Sequence, residues 1–279
     1  MKNLDFWAAI PDSALTDEQT MRDKTTKIAQ FARAFSIFSI SKVYIYRDRK
    51  YNYSTDRKLL KLILEFLDTP PYLRRSLYPK KDELRFAGLL HPLKSPHHRP
   101  AINPIKIKVG EIRQAVIVNT EGRYFADAGL GSLIPLEGSV FNDKRITVRF
   151  ISEHPKLRCE VITRKDINDY WGYVVEETQS LTDLLQSVSN VVILTSRMGK
   201  PLEKFEEKLS QELKTTTNVL VVFGSPNRGV TEILKDEKRH PNEFTKYFLN
   251  FFPKQTTETV RLEEAVIGCL TLLNYLIQK

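Results

Sequence analysis

Three loops late in the chain carry the residue types that could hold a small molecule for chemistry. They read LTSRMG (194–199), FGSPNRG (223–229) and FPKQTTETVRLEEA (252–265), and each follows or continues a short apolar run typical of a buried strand. Ligands of open α/β sheets bind beyond the carboxyl ends of the strands, so the three loops are expected along one rim of a sheet. The chain has no GxxxxGK[ST] loop and no Gly-x-Ser-x-Gly elbow, and no GxGxxG opens an early helix. The usual dinucleotide, P-loop and hydrolase sites are therefore disfavoured.

The hydrophobic periodicity predicts an α/β frame around these loops. A first strand ends near residue 10, before the turn 11–13, and a long amphipathic helix follows that Thr16 or Asp17 would cap. Alternation of strands and helices is typical of a parallel α/β sheet. The other predicted elements are strands over 41–47, 171–176, 191–194, 219–223 and 250–252, and helices over 56–68, 180–187, 202–213 and 262–276.

Between these α/β stretches the pattern changes to short β-like runs without helical periodicity. They predict a small all-β domain inserted near residues 93–166, with the α/β domain formed by 1–92 and 167–279. The composition fits a barrel of the oligonucleotide-binding (OB) type, and a barrel that serves only for packing is the alternative. The predicted strands cover 111–118, 123–128, 146–151 and 156–163.

Positive charge is concentrated in residues 72–108, the basic stretch. It carries a net charge of +7, whereas the whole chain carries +9. Half of the 14 prolines lie in it or just before it, which predicts an extended connector with its charge exposed. Lys and Arg interleaved with aromatic residues suit a polyanion such as RNA, and a solvated basic linker is the alternative. The predicted RNA contacts are Arg74, Arg75, Lys94, His97, His98 and Arg99, with Arg22 and Lys24 after the first strand.

Cysteine and histidine spacing predicts neither a disulfide nor a metal site. Cys159 and Cys269 have no CxxC partner and are expected to be small buried side chains, and the H-x5-H-H group at 91–98 matches no familiar metal site. The apolar runs are much shorter than the roughly 18 residues that span a bilayer, and the N-terminus lacks the apolar core of a secretory signal. A cytoplasmic protein without a membrane segment is expected.

Five segments in order carry a resemblance to a known family. They are IPDSAL (10–15), the stretch 24–33, GLLHPLKSPHHR (88–99), FGSPNRG, and TETVRLEEA (257–265) with Asn274 beyond it. Together they resemble the SPOUT superfamily of S-adenosylmethionine-dependent RNA methyltransferases, and most closely its archaeal and eukaryotic branch with an inserted β-barrel. Residues 260–265 also resemble the Leu-Arg-Thr-Glu-Thr-Ala signature of bacterial rRNA uridine-N3 methyltransferases.

This resemblance implies a C-terminal trefoil knot, a homodimer whose active site is completed by the partner subunit, and S-adenosylmethionine held by the three late loops. Arg33 looks like the first-motif arginine that orients the substrate, with a surface arginine as the alternative. Arg261 and Glu263 are expected near the transferring methyl, where Glu263 would accept a proton from a base nitrogen or complement a helix dipole. The implied cofactor-binding residues are Leu194, Thr195, Ser196, Arg197, Gly224, Ser225, Pro226, Gly229, Phe252, Gln255, Thr256, Val260, Glu264 and Ala265.

The function that we expect is methylation of RNA, most of all ribosomal RNA, with uridine N3 favoured over the ribose 2′-oxygen. Transfer from a sulfonium is an in-line displacement that requires positioning and no metal. The Ser-Leu-Asn run that would favour ribose chemistry is replaced by residues 259–264. Two alternatives stay open: a non-catalytic RNA-binding or ribosome-assembly factor, which the loop residues disfavour, and a protein methyltransferase, which the basic stretch disfavours.

Overall fold

The computed structural model describes residues 4–100, 102–138, 144–188 and 191–278. The chain divides into two units: the first contains Met1–Glu65, Phe86–His91 and Tyr173–Lys279, and the second contains Phe66–Arg85 and Pro92–Gly172. In chain order the elements are β1 (Asp5–Pro11), α1 (Met21–Ile37), β2 (Ile40–Tyr46), α2 (Ser54–Asp68), α3 (Pro71–Leu77), β3 (Ile112–Thr120), β4 (Arg123–Asp127), β5 (Ile134–Glu137), β6 (Arg145–Phe150), β7 (Cys159–Ile162), β8 (Val174–Thr178), α4 (Leu181–Ser187), β9 (Val191–Pro201), α5 (Glu206–Thr215), β10 (Asn218–Val222), α6 (Val230–Asp236), β11 (Tyr247–Asn250) and α7 (Leu262–Gln278).

The first unit contains a six-stranded sheet in the order β11-β9-β10-β1-β2-β8, with every pair parallel. Its central strands are continuously apolar because both faces of a parallel sheet are covered. Ala8, Ala9 and Ile10 of β1 are fully buried, as are Val219 and Leu220 of β10. The predicted α/β class with a parallel sheet is confirmed.

The second unit contains five strands that close into a barrel in the order β3-β4-β5-β7-β6. Buried side chains such as Ala115, Val148, Phe150 and Cys159 fill its interior. The four strands predicted here overlap β3, β4, β6 and β7. The sequence pattern missed β5, which has only four residues and contains Pro135, a residue that weakens a strand assignment.

Helix α1 begins later than the sequence predicted, so the expectation of a cap at Thr16 or Asp17 is wrong. The N-cap is Thr20, whose hydroxyl oxygen accepts a hydrogen bond from the backbone N–H of Asp23 at 3.1 Å. Asp17 is instead engaged in an ion pair with Lys27 at 2.6 Å. The capping residue therefore lies after a turn that the periodicity alone did not separate from the helix.

The basic stretch is not extended throughout, contrary to the prediction. Helix α3 begins with Pro71 in its first turn, where the missing N–H removes no helical hydrogen bond. Short 3-10 turns follow at Asp82–Leu84, Ala87–Leu89 and Pro104–Lys106. Proline thus begins two of these four helical segments, at Pro71 and Pro104, instead of excluding them.

A buried polar cluster around Asp68 holds part of the second unit together. The Nε2 atoms of His97 and His98 lie 2.8 and 2.9 Å from the Asp68 carbonyl oxygen, and Arg145 donates to the Asp68 carboxylate at 2.8 Å. Burial alone would raise the pKa of Asp68, but the His97 hydrogen bond and the Arg145 charge lower it to about 2. A Cβ on Gly172, which has a φ of +76°, would lie 2.1 Å from this carboxylate, so the cluster requires glycine there.

The burial of His98 is expected to make stability depend on pH. Desolvation and the neighbouring His97 lower the pKa of His98 to about 4, from 6.5 for a free histidine. The unfolded chain therefore takes up this proton near pH 6.5 while the folded chain does not, so the stabilisation is complete above pH 6.5 and is lost as the pH falls toward 4. We expect this group to lower the free energy of unfolding by about 3 kcal/mol between pH 7 and pH 4, measured by urea unfolding.

The matched controls for this prediction are two single variants. His98→Gln should unfold with a shallower pH dependence between pH 6.5 and pH 4, whereas His91→Gln, at an exposed position, should keep the wild-type slope. Equal slopes for all three proteins would contradict the assignment to His98.

No helix in the described part of the chain is both long enough and apolar enough to cross a bilayer.

Candidate functional site

A segment inside β9 and the carboxyl ends of β10 and β11 border a cavity of about 330 Å³ in the first unit. Its walls come from the three late loops and from the first two turns of α7. Because parallel strands end at the same edge of a sheet, three segments far apart in the chain meet there.

The first loop is a bulge inside β9 and does not end the strand, so the strand predicted over 191–194 was too short. Pairing with β11 skips from Leu194 to Lys200, which leaves residues 195–199 outside the ladder. A Cβ on Gly199 would lie 2.6 Å from the backbone of Leu249, so the two strands approach closely only because residue 199 is glycine. The pairing on either side of the bulge therefore fixes residues 195–199, four of which line the cavity.

A buried tyrosine of the sheet anchors the second loop, FGSPNRG, by a hydrogen bond. Tyr46 of β2 is fully buried, and its hydroxyl donates to the Phe223 carbonyl at 2.5 Å. The Ser225 N–H donates to the Arg228 carbonyl at 2.8 Å and closes a tight turn. A Cβ on Gly224 would lie 2.8 Å from that same carbonyl oxygen, so the turn requires glycine at this position.

Arg228 lines the cavity, but its guanidinium is committed to carboxylates of the protein. It pairs with Asp48 at the end of β2 and with Asp236 in α6. Asp48 is fully buried and also accepts a hydrogen bond from the Ser13 hydroxyl at 2.8 Å. Burial raises the pKa of the adjacent Asp12, whose carboxylate accepts a hydrogen bond from the Asp48 N–H. Arg228 is therefore a clamp between the second loop and the sheet.

The third loop is braced against the first by hydrogen bonds. Asn250 Nδ2 donates to the Arg197 carbonyl at 3.0 Å, and Arg197 Nη1 donates to the Glu258 carbonyl at 2.8 Å. A Cβ on Gly268 in α7 would lie 2.5 Å from the Phe252 ring, so glycine lets this ring pack directly on the helix. The first and third loops thus form one continuous wall of the cavity.

Eleven of the fourteen residues predicted to bind the cofactor line this cavity. They are Thr195, Ser196, Arg197, Gly224, Ser225, Pro226, Gly229, Phe252, Gln255, Val260 and Ala265. The other three do not line it. Leu194 is buried in β9, Thr256 is exposed, and Glu264 accepts a hydrogen bond from the Arg261 N–H at 2.9 Å.

Ten further lining residues were not predicted as cofactor contacts. They are Met198, Phe223, Asn227, Arg228, Glu232, Asn250, Phe251, Thr259, Leu262 and Cys269. Most lie within or beside the three loops and would follow from taking each loop whole. Predicting Cys269 as a lining residue would have required helical geometry, because Leu262, Ala265 and Cys269 are spaced i, i+3 and i+7 and share one face of α7.

None of the three predicted catalytic residues is part of the lining. Arg261 directly follows the lining residue Val260; its side chain is exposed and forms no ion pair with a described residue. The Glu263 carboxylate lies 3.1 Å from the Lys27 ammonium. Arg33 is exposed on α1. The structure therefore brings Arg261 to the edge of the cavity and leaves Arg33 on the outer surface of its own chain.

The predicted RNA contacts fall into two groups. Four are exposed, namely Arg22, Arg75, Lys94 and Arg99. The others are engaged within their own unit: Lys24 with Asp56 at 2.6 Å, Arg74 with the carbonyls of Leu67 and Thr69, and both His97 and His98 with the Asp68 carbonyl. The basic stretch therefore does not hold all of its charge in the open, and His97 in particular is fully buried.

The fold defines an α/β protein with a cavity beside the carboxyl edge of its parallel sheet, where ligands of such sheets bind. Sequence comparison gives the family. The pattern of a family described as "Putative RNA methyltransferase" matches residues 5–273, and the chain belongs to this family of RNA methyltransferases.

Similar proteins align along nearly the whole chain. An uncharacterized protein of Halobacterium salinarum is 30% identical over 94% of this chain and 97% of its own length. The 28S rRNA (uridine-N(3))-methyltransferase of Homo sapiens is 27% identical over 95% of this chain and 76% of its own length. The protein of the same name from Mus musculus is 28% identical over 95% of this chain and 74% of its own length.

Proposed function

We propose that the protein transfers a methyl group from S-adenosylmethionine to N3 of a uridine in ribosomal RNA. The observation that carries this proposal is the cavity at the carboxyl edge of the sheet, lined by residues that the SPOUT resemblance implies for the cofactor. The family supports RNA as the substrate, and the names of the human and mouse relatives support ribosomal RNA and uridine N3.

The residues around the cavity fit S-adenosylmethionine. The half-buried ring of Phe252 and the side chain of Val260 offer apolar surface to a planar base, while Thr195 and Asn227 offer polar groups at its edge. The volume lies within the usual range for small-molecule sites, about 300–1,000 Å³. When bound, the cofactor supplies a methyl group on a sulfonium, so this chain has only to hold and orient the two reactants.

Arg261 and Arg33 would orient the uridine and stabilise the negative charge that forms on the base when N3 gives its proton to solvent. Arg261 suits this role because it is exposed beside the cavity and its guanidinium is not paired with any described residue. Arg33 does not line the cavity of its own chain, so we assign it to the site of a second subunit in a homodimer. Exposed apolar side chains on α7, Ile267, Leu272 and Tyr275, support such a contact between copies.

The same proposal includes the SPOUT architecture, with a trefoil knot in residues 190–279 and an OB-type barrel over 93–166. The packing of α7 against both α1 and α5, with Ser210 donating to the Leu276 carbonyl at 2.9 Å, supports a deeply anchored C-terminus. The closed five-stranded barrel supports an OB-type module. Exposed Arg123 and Tyr124 on β4 would contact RNA by charge and by stacking.

The test of the function uses labelled S-adenosylmethionine. Purified protein is incubated separately with deproteinised ribosomal RNA and with ribosomal proteins, and the products are analysed as nucleosides and as amino acids. Label in 3-methyluridine is the expected result. Label in ribose would overturn the target atom, label in protein would overturn the substrate class, and cofactor binding without label in either pool would favour a non-catalytic factor.

The exposed cations of the basic stretch are expected to bind RNA phosphates. Replacing Arg75, Lys80 and Lys81 together with alanine should weaken binding to ribosomal RNA, because three counterion-releasing contacts are lost. The slope of log K against log salt concentration should become shallower by about 2 to 3, measured by fluorescence anisotropy from 50 to 200 mM salt. Three exposed lysines elsewhere, Lys204, Lys208 and Lys214, provide a control with the same change of charge. An equal loss of slope in the control would show that only net charge matters.

A further inference from the structure

Lys27 is buried in the middle of α1, with only 2% of its side chain exposed. Removing an ammonium from water is unfavourable unless the charge is paired and hydrogen-bonded. A lysine at this position therefore has to be explained by its partners.

Three carboxylates surround the Lys27 ammonium. Both oxygens of Asp17 lie at 2.6 Å, one oxygen of Glu263 at 3.1 Å and one of Glu18 at 3.9 Å. Asp17 and Glu18 belong to the turn between β1 and α1, whereas Glu263 lies in the first turn of α7. One cation thus joins α1, the turn before it and the helix that borders the cavity.

The contact to Glu263 is the informative one. Its side chain is 12% exposed, and its Oε2 atom is buried without a hydrogen bond from any described residue. The Lys27 ammonium is therefore the cation that compensates this carboxylate. Glu263 lies between two residues that line the cavity, Leu262 and Ala265, and two positions after Arg261. Fixing Glu263 consequently fixes the whole turn that presents these residues.

We propose that Lys27 is a positioning residue for methyl transfer, which holds the first turn of α7 through Glu263 so that Leu262, Ala265 and Arg261 meet the cofactor and the base. Glu263 is then the ion-pair partner of Lys27 and not the proton acceptor. A carboxylate that compensates a buried ammonium cannot give up its charge without leaving that ammonium less well paired. The inference rests on the proposed function for the identity of the cofactor, and on the contacts alone for the anchoring.

The test compares Lys27→Met, Glu263→Gln and the double variant with the wild-type protein. Lys27→Met should raise the Kd for S-adenosylmethionine at least about tenfold, measured by calorimetry, because Glu263 is left uncompensated beside the cavity. Amide hydrogen exchange of residues 262–266 without cofactor should become faster. The double variant should recover part of the affinity, since it also removes the uncompensated Glu263 charge, while Asp17, with 28% of its side chain exposed, remains in contact with water. Lys61→Met is the matched control, because it removes a Lys–Glu pair of 2.8 Å in the same unit and should change neither quantity.

Steady-state kinetics separates anchoring from base catalysis. If Glu263 is an anchor, Glu263→Gln raises the KM for the cofactor while kcat at saturation stays within about threefold of wild type. This variant also decides the question if Lys27→Met does not fold. A large loss of kcat in Glu263→Gln with normal cofactor affinity, or unchanged affinity and exchange in Lys27→Met, would overturn the inference. Absence of cofactor binding by wild type would overturn the proposed function, and the exchange measurement would still test the anchoring.

Discussion

Replacing Gly224 with arginine is expected to abolish cofactor binding, with a rise of at least about a hundredfold in the Kd for S-adenosylmethionine. Any Cβ at this position would lie 2.8 Å from the Arg228 carbonyl oxygen and 3.0 Å from the Gly229 Cα. Those atoms belong to the loop that lines the cavity, so the loop has to shift even before the rest of the side chain is accommodated. Calorimetric titration with the cofactor or with sinefungin measures the effect.

The control for this variant is Gly88→Arg, which introduces the same side chain in the same unit. A Cβ at Gly88 meets no atom within 4 Å and the residue does not have a positive φ, so its backbone tolerates the change. Gly88→Arg should bind the cofactor as wild type does, with a similar thermal midpoint. If Gly224→Arg is folded and binds the cofactor with wild-type affinity, the cavity is not the cofactor site.

The position of the cavity could be predicted from the sequence because it depends on local signals. Short apolar runs marked the strands, and small or polar residues marked where they end. A parallel sheet then brings those ends to one edge, whatever the order of the strands. This is why residues as distant in the chain as Thr195 and Ala265 were expected together and do line one cavity.

The details that were missed depend on contacts between distant segments. The bulge at 195–199 is defined by the pairing of β9 with β11. The close approach of the two strands at Gly199 is a contact between segments about 50 residues apart in the chain. In the same way β5 is recognised as a strand through its partners in the barrel, since its own four residues carry little signal. Periodicity within one segment cannot report such pairings.

Charge was the least reliable guide to exposure. His97 was expected in the open as an RNA contact, yet it is buried, and Lys27 is buried as well. Lys27 pairs with Asp17 before α1 and with Glu263 in α7, and His97 lies against the Asp68 carbonyl. A buried polar or charged group is stable when its partners are in place, and distant partners such as Glu263 and Asp68 cannot be recognised from the neighbouring sequence.

Two of the arginines at the cavity, Arg228 and Arg261, illustrate the same limit and lead to the second large effect. Arg228 lines the cavity but is neutralised by Asp48 and Asp236, whereas Arg261 is exposed with no ion pair to a described residue. From the sequence alone, both arginines would be expected to offer a positive charge to the substrate. Of these two, Arg261 is the one whose guanidinium forms no ion pair with a described residue, so the two should respond differently to substitution.

Arg261→Ala is expected to lower kcat by about a hundredfold while the free energy of unfolding stays close to that of wild type. The guanidinium would stabilise the anion that uridine becomes when N3 is deprotonated, and it supports no other side chain in the described part of the chain. Turnover is measured with saturating S-adenosylmethionine and ribosomal RNA. The deficit should shrink as the pH rises, because solvent hydroxide then supplies the anion that the arginine otherwise favours.

Arg239→Ala is the matched control, since Arg239 is exposed and forms only a surface pair with Glu243. Exposed pairs of this kind contribute about 0–1 kcal/mol, so its kcat should remain at the wild-type value. A loss of cofactor affinity without a loss of kcat in Arg261→Ala would move Arg261 from the substrate to the cofactor. Wild-type kcat and wild-type affinity together would exclude Arg261 from the active site.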